Sequence, residues 1–520
     1  MKIKDLYNSW SHNERLIFWG TALVLITSFS IWSFTFIQTN TILVPAVGGS
    51  YREGIVGQPV FINPIIPSTE ADKDLSRLVF SNIPDSADSI KRETDDKTYT
   101  VRLKENLRWQ DGEKLTTDDI IFTLQTIQSP DAHSPLSTNF RGVTAERVSE
   151  LEVKFVLQNP YAFFEEDHLK NFFIIPKHIF ADTAVENLKF SIYGLKPVGS
   201  GPYVVSSYKS DSKGVITSIN LQDSSKYSGP KPFLSRLTFK FYKNAADLVR
   251  AYNAGQIDGL GLSTSESLAK ITLRSKIDYF QSSREYAVFI NQTTDNTQLK
   301  DINIRRALSE SVDRPFIIAS VFDGHATPLY GPTTHTKQPK DNADLSFLNG
   351  VEATLTVPDE SFLVKTAEML KSAWESHGAK ITLRVMSTKK IEDDVLRSTD
   401  YDMLIFGNII KEGGDLYAFW DSSRRFYPDE NLSLYQNPVA DSLLEAYRRN
   451  FDGTSRNARL ANISDLIASD FPAVFLYSPD YIYISTPKLG GLDTTRVINT
   501  SADRFDTIER WFIETSRSFQ

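Results

Sequence analysis

One long apolar run and two shorter periodicities organise this chain. From Leu16 to Ile37, "LIFWGTALVLITSFSIWSFTFI", no charged side chain interrupts the run. A helix needs roughly 20 such residues to cross a bilayer, and Trp19 and Trp32 sit towards its ends as interfacial aromatics do. Lys2, Lys4 and Arg15 precede it, diluted by Asp5 and Glu14. That bias puts residues 1–15 in the cytoplasm, a transmembrane helix over 16–37, a linker over 38–48, and the remainder outside the cell. A cleaved signal peptide is the rival reading, since "VPA" ending at Ala46 offers a small-residue cleavage site. Its apolar region, however, is normally only about 7–15 residues. A buried core helix is a third reading, but the run has no polar face to turn to water.

Beyond residue 48 the pattern mixes both short periods. "TYTVRL", "LEVKFVL" (151–157) and "LTFKFY" (237–242) alternate apolar and polar positions as half-buried strands do. "LTTDDIIFTLQTI" (115–127) predicts a helix, with Thr116 and Asp119 at capping-box spacing ahead of Ile120, Ile121, Leu124 and Ile127. Over 353–406 the order is strand, helix, strand, strand. "ATLTV" leads to Asp359 as a helix cap, Leu363, Ala367, Leu370 and Trp374 share one face, and Gly378 ends the helix. This order predicts a parallel pair with a right-handed crossover. Just past its last strand lies "GGDLYAFWDSS" (413–423), where ligands of open α/β sheets gather. Asp415 there is either a solvated loop acid or a charge in an aromatic cleft.

Composition narrows the classes. At 520 residues the chain exceeds one hydrophobic core. Charged residues make 23% and hydrophobic ones 41%, with a formal net charge of −8, which argues for a folded protein and against nucleic acid as partner. The absence of cysteine excludes disulfides, thiolate metal sites, cysteine nucleophiles and a lipidated cysteine. No HExxH, P-loop, complete GxSxG or kinase signature is present. "GLGLST" (259–264) lacks the third glycine of a dinucleotide fingerprint, and the seven histidines, at 12, 133, 168, 178, 325, 335 and 377, lack zinc spacing. The acidic pair Asp118–Asp119 reads as a helix cap rather than a metal site, and "EEDH" (165–168) as a solvated loop. The sequence therefore points to a non-enzymatic protein without a cofactor. Aromatics at 12%, with 21 Tyr and 33 Phe, suit a cleft that grips varied ligands through large rigid faces.

Several segments in order carry a family resemblance. "GGSYREGIVGQPVFINPI" opens the body, and "YTVRLKENLRWQDGEKLTTDDIIFTLQTI" (99–127) contains a Trp-x-Asp-Gly turn. "PVGSGPYVV" (197–205) has Ser200 where a Gly-Thr-Gly-Pro-Tyr turn has threonine. "FINQTT…LKDINIRRALSESVDRPFI" (289–317), "LYQNPVADSLLEAYRR" and "IASDFPAVFLYSPDYIYI" follow. Together they resemble the extracytoplasmic solute-binding proteins of peptide and nickel ABC importers, the dipeptide- and oligopeptide-binding type. The resemblance implies the two-lobed α/β fold of type II periplasmic binding proteins, in the large peptide-binding subclass. Lobe one would comprise 49–283 plus 482–520, with a subdomain near 84–195. Lobe two would comprise 284–481, with hinge crossings near 284–288 and 478–484.

It also implies function. A monomeric receptor on the plasma membrane would capture a peptide between its lobes and deliver it to ABC permease subunits. The same fold with a nickel chelate, haem, opine or oligosaccharide is the alternative, and a hydrolase is a more distant one. By the resemblance Asp415, after Gly414, holds the peptide's α-ammonium, although Leu416 replaces the family's proline and the preceding acid is missing. Tyr417, Phe419 and Trp420 would add apolar contact, and Trp109 is either a structural turn or a cleft wall.

Overall fold

The computed structural model describes residues 9–262, 264–334, 336–338, 343–411 and 413–519. Lys2, Lys4 and Asp5 of the N-terminal segment, Ser263 and His335 lie outside these. The apolar run folds as one helix, His12–Asn40, capped by a Ser11–Glu14 capping box and buried nowhere along its length. It has the length and hydropathy of a membrane span. Its hydroxyls return to the backbone: Thr27 Oγ1 donates to the carbonyl of Leu23 at 2.9 Å, and Ser30 Oγ to that of Ile26 at 2.8 Å. Polar groups are thereby satisfied without water, as a lipid surround requires.

The predicted linker is not loose. The helix runs on to Asn40, and Thr41–Pro45 forms an antiparallel ribbon with the C-terminal strand Thr515–Phe519, paired from Thr41↔Phe519 to Pro45↔Thr515. "TILVP" alternates well enough to pair, but its partner lies over 470 positions away, where local pattern is blind.

The body holds three further sheets. A seven-stranded sheet gathers Ser50–Val56, Tyr203–Ser210, Ile216–Asp223, Arg236–Tyr242, Gly259–Leu262, Lys276–Phe280 and, late in the chain, Tyr481–Ser485. A six-stranded sheet gathers Arg284–Ile290, Ala326–Pro328, Glu352–Pro358, Lys380–Met386, Met403–Ile409 and Ala473–Pro479. A four-stranded antiparallel sheet, Ala87–Arg92, Thr98–Leu103, Thr144–Arg147 and Glu152–Val156, decorates the first. Thr116 and Asp119 cap the helix Thr117–Gln128 that packs beside it, so this aspartate is structural.

The chain passes between the two large sheets at 281–283 and again at Asp480. The first passage lies just before the segment expected for it. "REYAVFI" has the alternation of a central strand, and it pairs fully with Met403–Ile409. The two passages lie side by side: Ser478 Oγ donates to the carbonyl of Ser282 at 2.7 Å. In the six-stranded sheet, Glu352–Pro358 and Lys380–Met386 are parallel, and the helix Ser361–Glu375 between them buries Leu363, Ala367, Leu370 and Trp374. Its N-cap is Glu360 rather than Asp359.

A buried ionic network closes the seven-stranded sheet from both ends of the chain. Arg504 Nη2 donates to Glu53 at 2.9 Å and to Asp74 at 2.6 Å, while Tyr483 donates to Glu53 at 2.7 Å. Buried charges persist only where paired and hydrogen-bonded, so this lobe needs its C-terminal segment to fold.

Candidate functional site: a cleft between the lobes

A cavity of about 1180 Å³ opens between the large sheets, lined from both sides. The six-stranded side contributes Phe406–Ile409, Lys411, Asp415, Tyr417, Phe419 and Arg448, and the other side Arg77, Asn139, Tyr161, Asp167 and His168. Its size exceeds the ~300–1,000 Å³ of ordinary small-molecule sites.

The glycine pair of "GGDLYAFWDSS" is explained by crowding. A Cβ on Gly413 would lie 2.5 Å from Phe163, and one on Gly414 2.6 Å from Leu460. Gly414 also has φ +68°, where side chains are strained. The tight turn then hands over to Asp415, whose Oδ1 accepts from the Tyr417 amide at 3.1 Å and starts the helical turn Tyr417–Trp420. Gly414 thus shapes the loop without lining the cavity.

Of the other expected residues, Asp415, Tyr417 and Phe419 border the cavity, and two tryptophans do not. Trp420 is buried among Phe289, Tyr435 and Phe475. Trp109 is buried inside its turn near His178. Both belong to the core, because the turns that carry them face inward onto packed sheets. No cleft-wall role remains for Trp109 or Trp420.

Asp415 is not a free carboxylate. Its Oδ2 accepts from Arg448 Nε at 3.1 Å and from the Tyr161 hydroxyl at 3.0 Å. The Arg448 guanidinium lies between two rings, 4.8 Å from Tyr161 and 4.4 Å from Tyr417. An ammonium at Asp415 would share the carboxylate with Arg448, so the expected amine contact meets a resident cation.

Tyr161 belongs to a segment that crosses from the lobe-one side. The Ala162 amide donates to the Arg448 carbonyl at 2.7 Å, and Phe163 packs on Tyr447 at 5.2 Å. Arg456 bridges to Glu166 at 3.1 Å. "EEDH" is therefore a docked helical turn, not a solvated loop: burial pushes the Asp167 carboxyl up to about 6, and burial keeps the His168 imidazole neutral, its pKa well below the ordinary value. Among the described residues no cluster of three or more metal-ligating side chains occurs.

Tyr161 and Lys411 escaped sequence reasoning, Tyr161 because its contact with Asp415 spans 254 positions. Asp167 and Arg448 carried a signal only as parts of the quoted "EEDH" and "LLEAYRR" segments.

Comparison with known proteins decides the family. Residues 82–349 match the family described as bacterial extracellular solute-binding proteins, family 5, middle. The chain belongs to this family. Oligopeptide-binding protein AppA of Bacillus subtilis is 23% identical over 526 residues, covering 90% of this chain and 92% of AppA. The substrate-binding protein CtaP of Listeria monocytogenes superposes with a TM-score of 0.76 at 24% identity, over 90% of this chain and 100% of CtaP. AppA of Bacillus subtilis in complex with a nonapeptide superposes with 0.71 at 22% identity, over 91% and 100%. The family's members are solute-binding proteins, and this chain has their two-lobed type II architecture.

Proposed function

We propose that this protein is a membrane-tethered receptor that encloses a peptide between its lobes and passes it to an ABC importer. The observation that carries this reading is the large two-sided cavity, bounded by aromatic faces and by charged groups of both signs. Such a surface grips an extended chain by its backbone and termini and stays tolerant of side chains. AppA, similar along nearly its whole length, binds oligopeptides by name and a nonapeptide in its complex. The Lys411 ammonium, at the cavity wall with no hydrogen-bond or ion-pair partner among the described residues, suits a ligand carboxylate.

Retention of the N-terminal helix belongs to the same proposal. Cleavage after Ala46 would strip the C-terminal strand of its entire partner, Thr41–Pro45. The exposed Ile42, Leu43 and Phe519 of that ribbon stand immediately beyond the membrane span, where apolar side chains meet lipid headgroups. The receptor acts as a monomer on the outer face of the plasma membrane.

Equilibrium dialysis of the detergent-solubilised full chain tests the ligand class. A random peptide library should be retained at about one peptide per chain, against no retention of a maltooligosaccharide, haem or a nickel–histidine chelate. Retention of one of those instead of peptide would overturn the reading.

A further inference from the structure

The strand Met403–Ile409 brings its last residues, 406–409, to the wall of the cavity. Its side chains alternate between two cores. Met403 and Ile405 join the cluster under the helix Ser361–Glu375. Leu404, Phe406 and, just past the strand, Ile410 turn the other way, to the cluster that contains Trp420 and reaches into lobe one. By the same alternation Asn408 falls on this second face, a polar side chain among apolar ones. Phe406 and Asn408 both line the cavity.

The other buried asparagines show what this side chain does when it serves the fold. Asn82 donates to the carbonyl of Lys170 at 2.9 Å. Asn291 donates to the carbonyls of Thr399 and Tyr401, and Asn431 to those of Asp421 and Tyr435. Asn63 accepts from the Ile65 amide at 3.0 Å. Each of them ties down a stretch of backbone.

Asn408 does not. The residue is only 9% exposed, yet its side-chain amide has no hydrogen-bond partner among the described residues. Glu285, opposite it in the ladder, does not bond it. The amide is not sealed into the core either, and the cavity is what it opens on. Of the amide side chains that line the cavity it is the buried one. An amide withdrawn from water without a partner costs stability, so the fold gives no reason for it.

We propose that Asn408 is a ligand-contacting residue that holds one residue of the bound peptide by its backbone. Its Oδ1 accepts from that residue's N–H, and its Nδ2 donates to the same residue's carbonyl. The match is chemical: a side-chain amide offers an acceptor and donors together, and in an extended chain the N–H and C=O of one residue point to the same side. Such a contact reads no ligand side chain. The proposal rests on the peptide reading and specifies it: recognition includes a neutral backbone contact on lobe two, independent of the peptide's termini.

The test uses the full chain in detergent and a nonapeptide that the native protein selects from a random library. Each backbone N–H of that peptide is replaced in turn by an ester oxygen, and the series is titrated against native protein, Asn408→Leu and Asn408→Ala. Both variants should bind the parent peptide about tenfold more weakly. One ester should cost the native protein about threefold or more in affinity, and that loss should vanish in both variants. Without peptide, Asn408→Leu should unfold at a higher temperature than the native protein, since an unpartnered amide has been removed. Parent binding unchanged in the variants, an ester profile like the native one, or a lowered unfolding temperature in both variants overturns the Asn408 assignment and leaves the peptide reading intact. Selection of no peptide by the native protein overturns both.

Discussion

Asp415 shows how a side chain's partners decide its work. A carboxylate closed into a cleft needs a cation, and here Arg448 and the Tyr161 hydroxyl supply the pairing from opposite lobes. Its contact therefore ties the lobes together. Asp415→Asn should weaken peptide binding about tenfold or more, because Arg448 loses its partner and closure loses a charge-assisted bond. The loss should be the same for free-amine and N-acetylated peptides, measured by titration calorimetry. A loss confined to free-amine peptides would instead make Asp415 the amine contact.

How much of the site the sequence reveals also divides at this scale. The position of Asp415 after a strand's carboxyl end was legible, because strand order and loop chemistry are local. Its pairing was not, since Tyr161 is 254 positions away. The placement of Trp420 and Trp109 in the core is not legible for a related reason: a large aromatic beside a turn satisfies core and cleft readings alike, and only packing separates them.

At the level of elements, the docked turn Phe164–His168 carries a pH signature. Asp167 faces Tyr161, Asp415, Glu166 and Lys411, with His168 beside it. Its folded pKa, about 6, lies above the unfolded value near 4. The folded state therefore binds more protons between these values, and Asp167's contribution is full below about 4 and lost as pH rises through 6. Asp167→Asn, which mimics the protonated acid, should gain stability over the native protein at pH 7 by on the order of 2 kcal/mol, and by much less at pH 4.5. Thermal unfolding of both proteins across that range checks it, and a pH-independent difference contradicts it.

The ribbon Thr41–Pro45 with Thr515–Phe519 makes a second claim at this scale. Chain isolated from membranes should have the intact mass of 58.8 kDa, retaining its first strand. A mature species beginning at Val47 would falsify the retained anchor. The strands Thr98–Leu103, Glu152–Val156, Arg236–Tyr242, Glu352–Pro358, Lys380–Met386 and Met403–Ile409 and the helices Thr117–Gln128 and Ser361–Glu375 are readable because period 2, period 3.6 and capping chemistry are written within a few residues. The ribbon was not, since it joins the two ends of the chain.

For the whole molecule, two lobes meet around a cleft that holds both signs of charge, above a helix fit to cross a membrane. The C-terminal segment returns to lobe one through the Arg504 network and to the membrane-proximal ribbon through its last strand. These two returns tie lobe one to the ribbon that follows the apolar helix. Native mass spectrometry of the full chain as it is purified tests the central claim most directly. The account predicts a bound species, one per chain, whose fragments read as amino-acid residues. A bound metal chelate or oligosaccharide would contradict it.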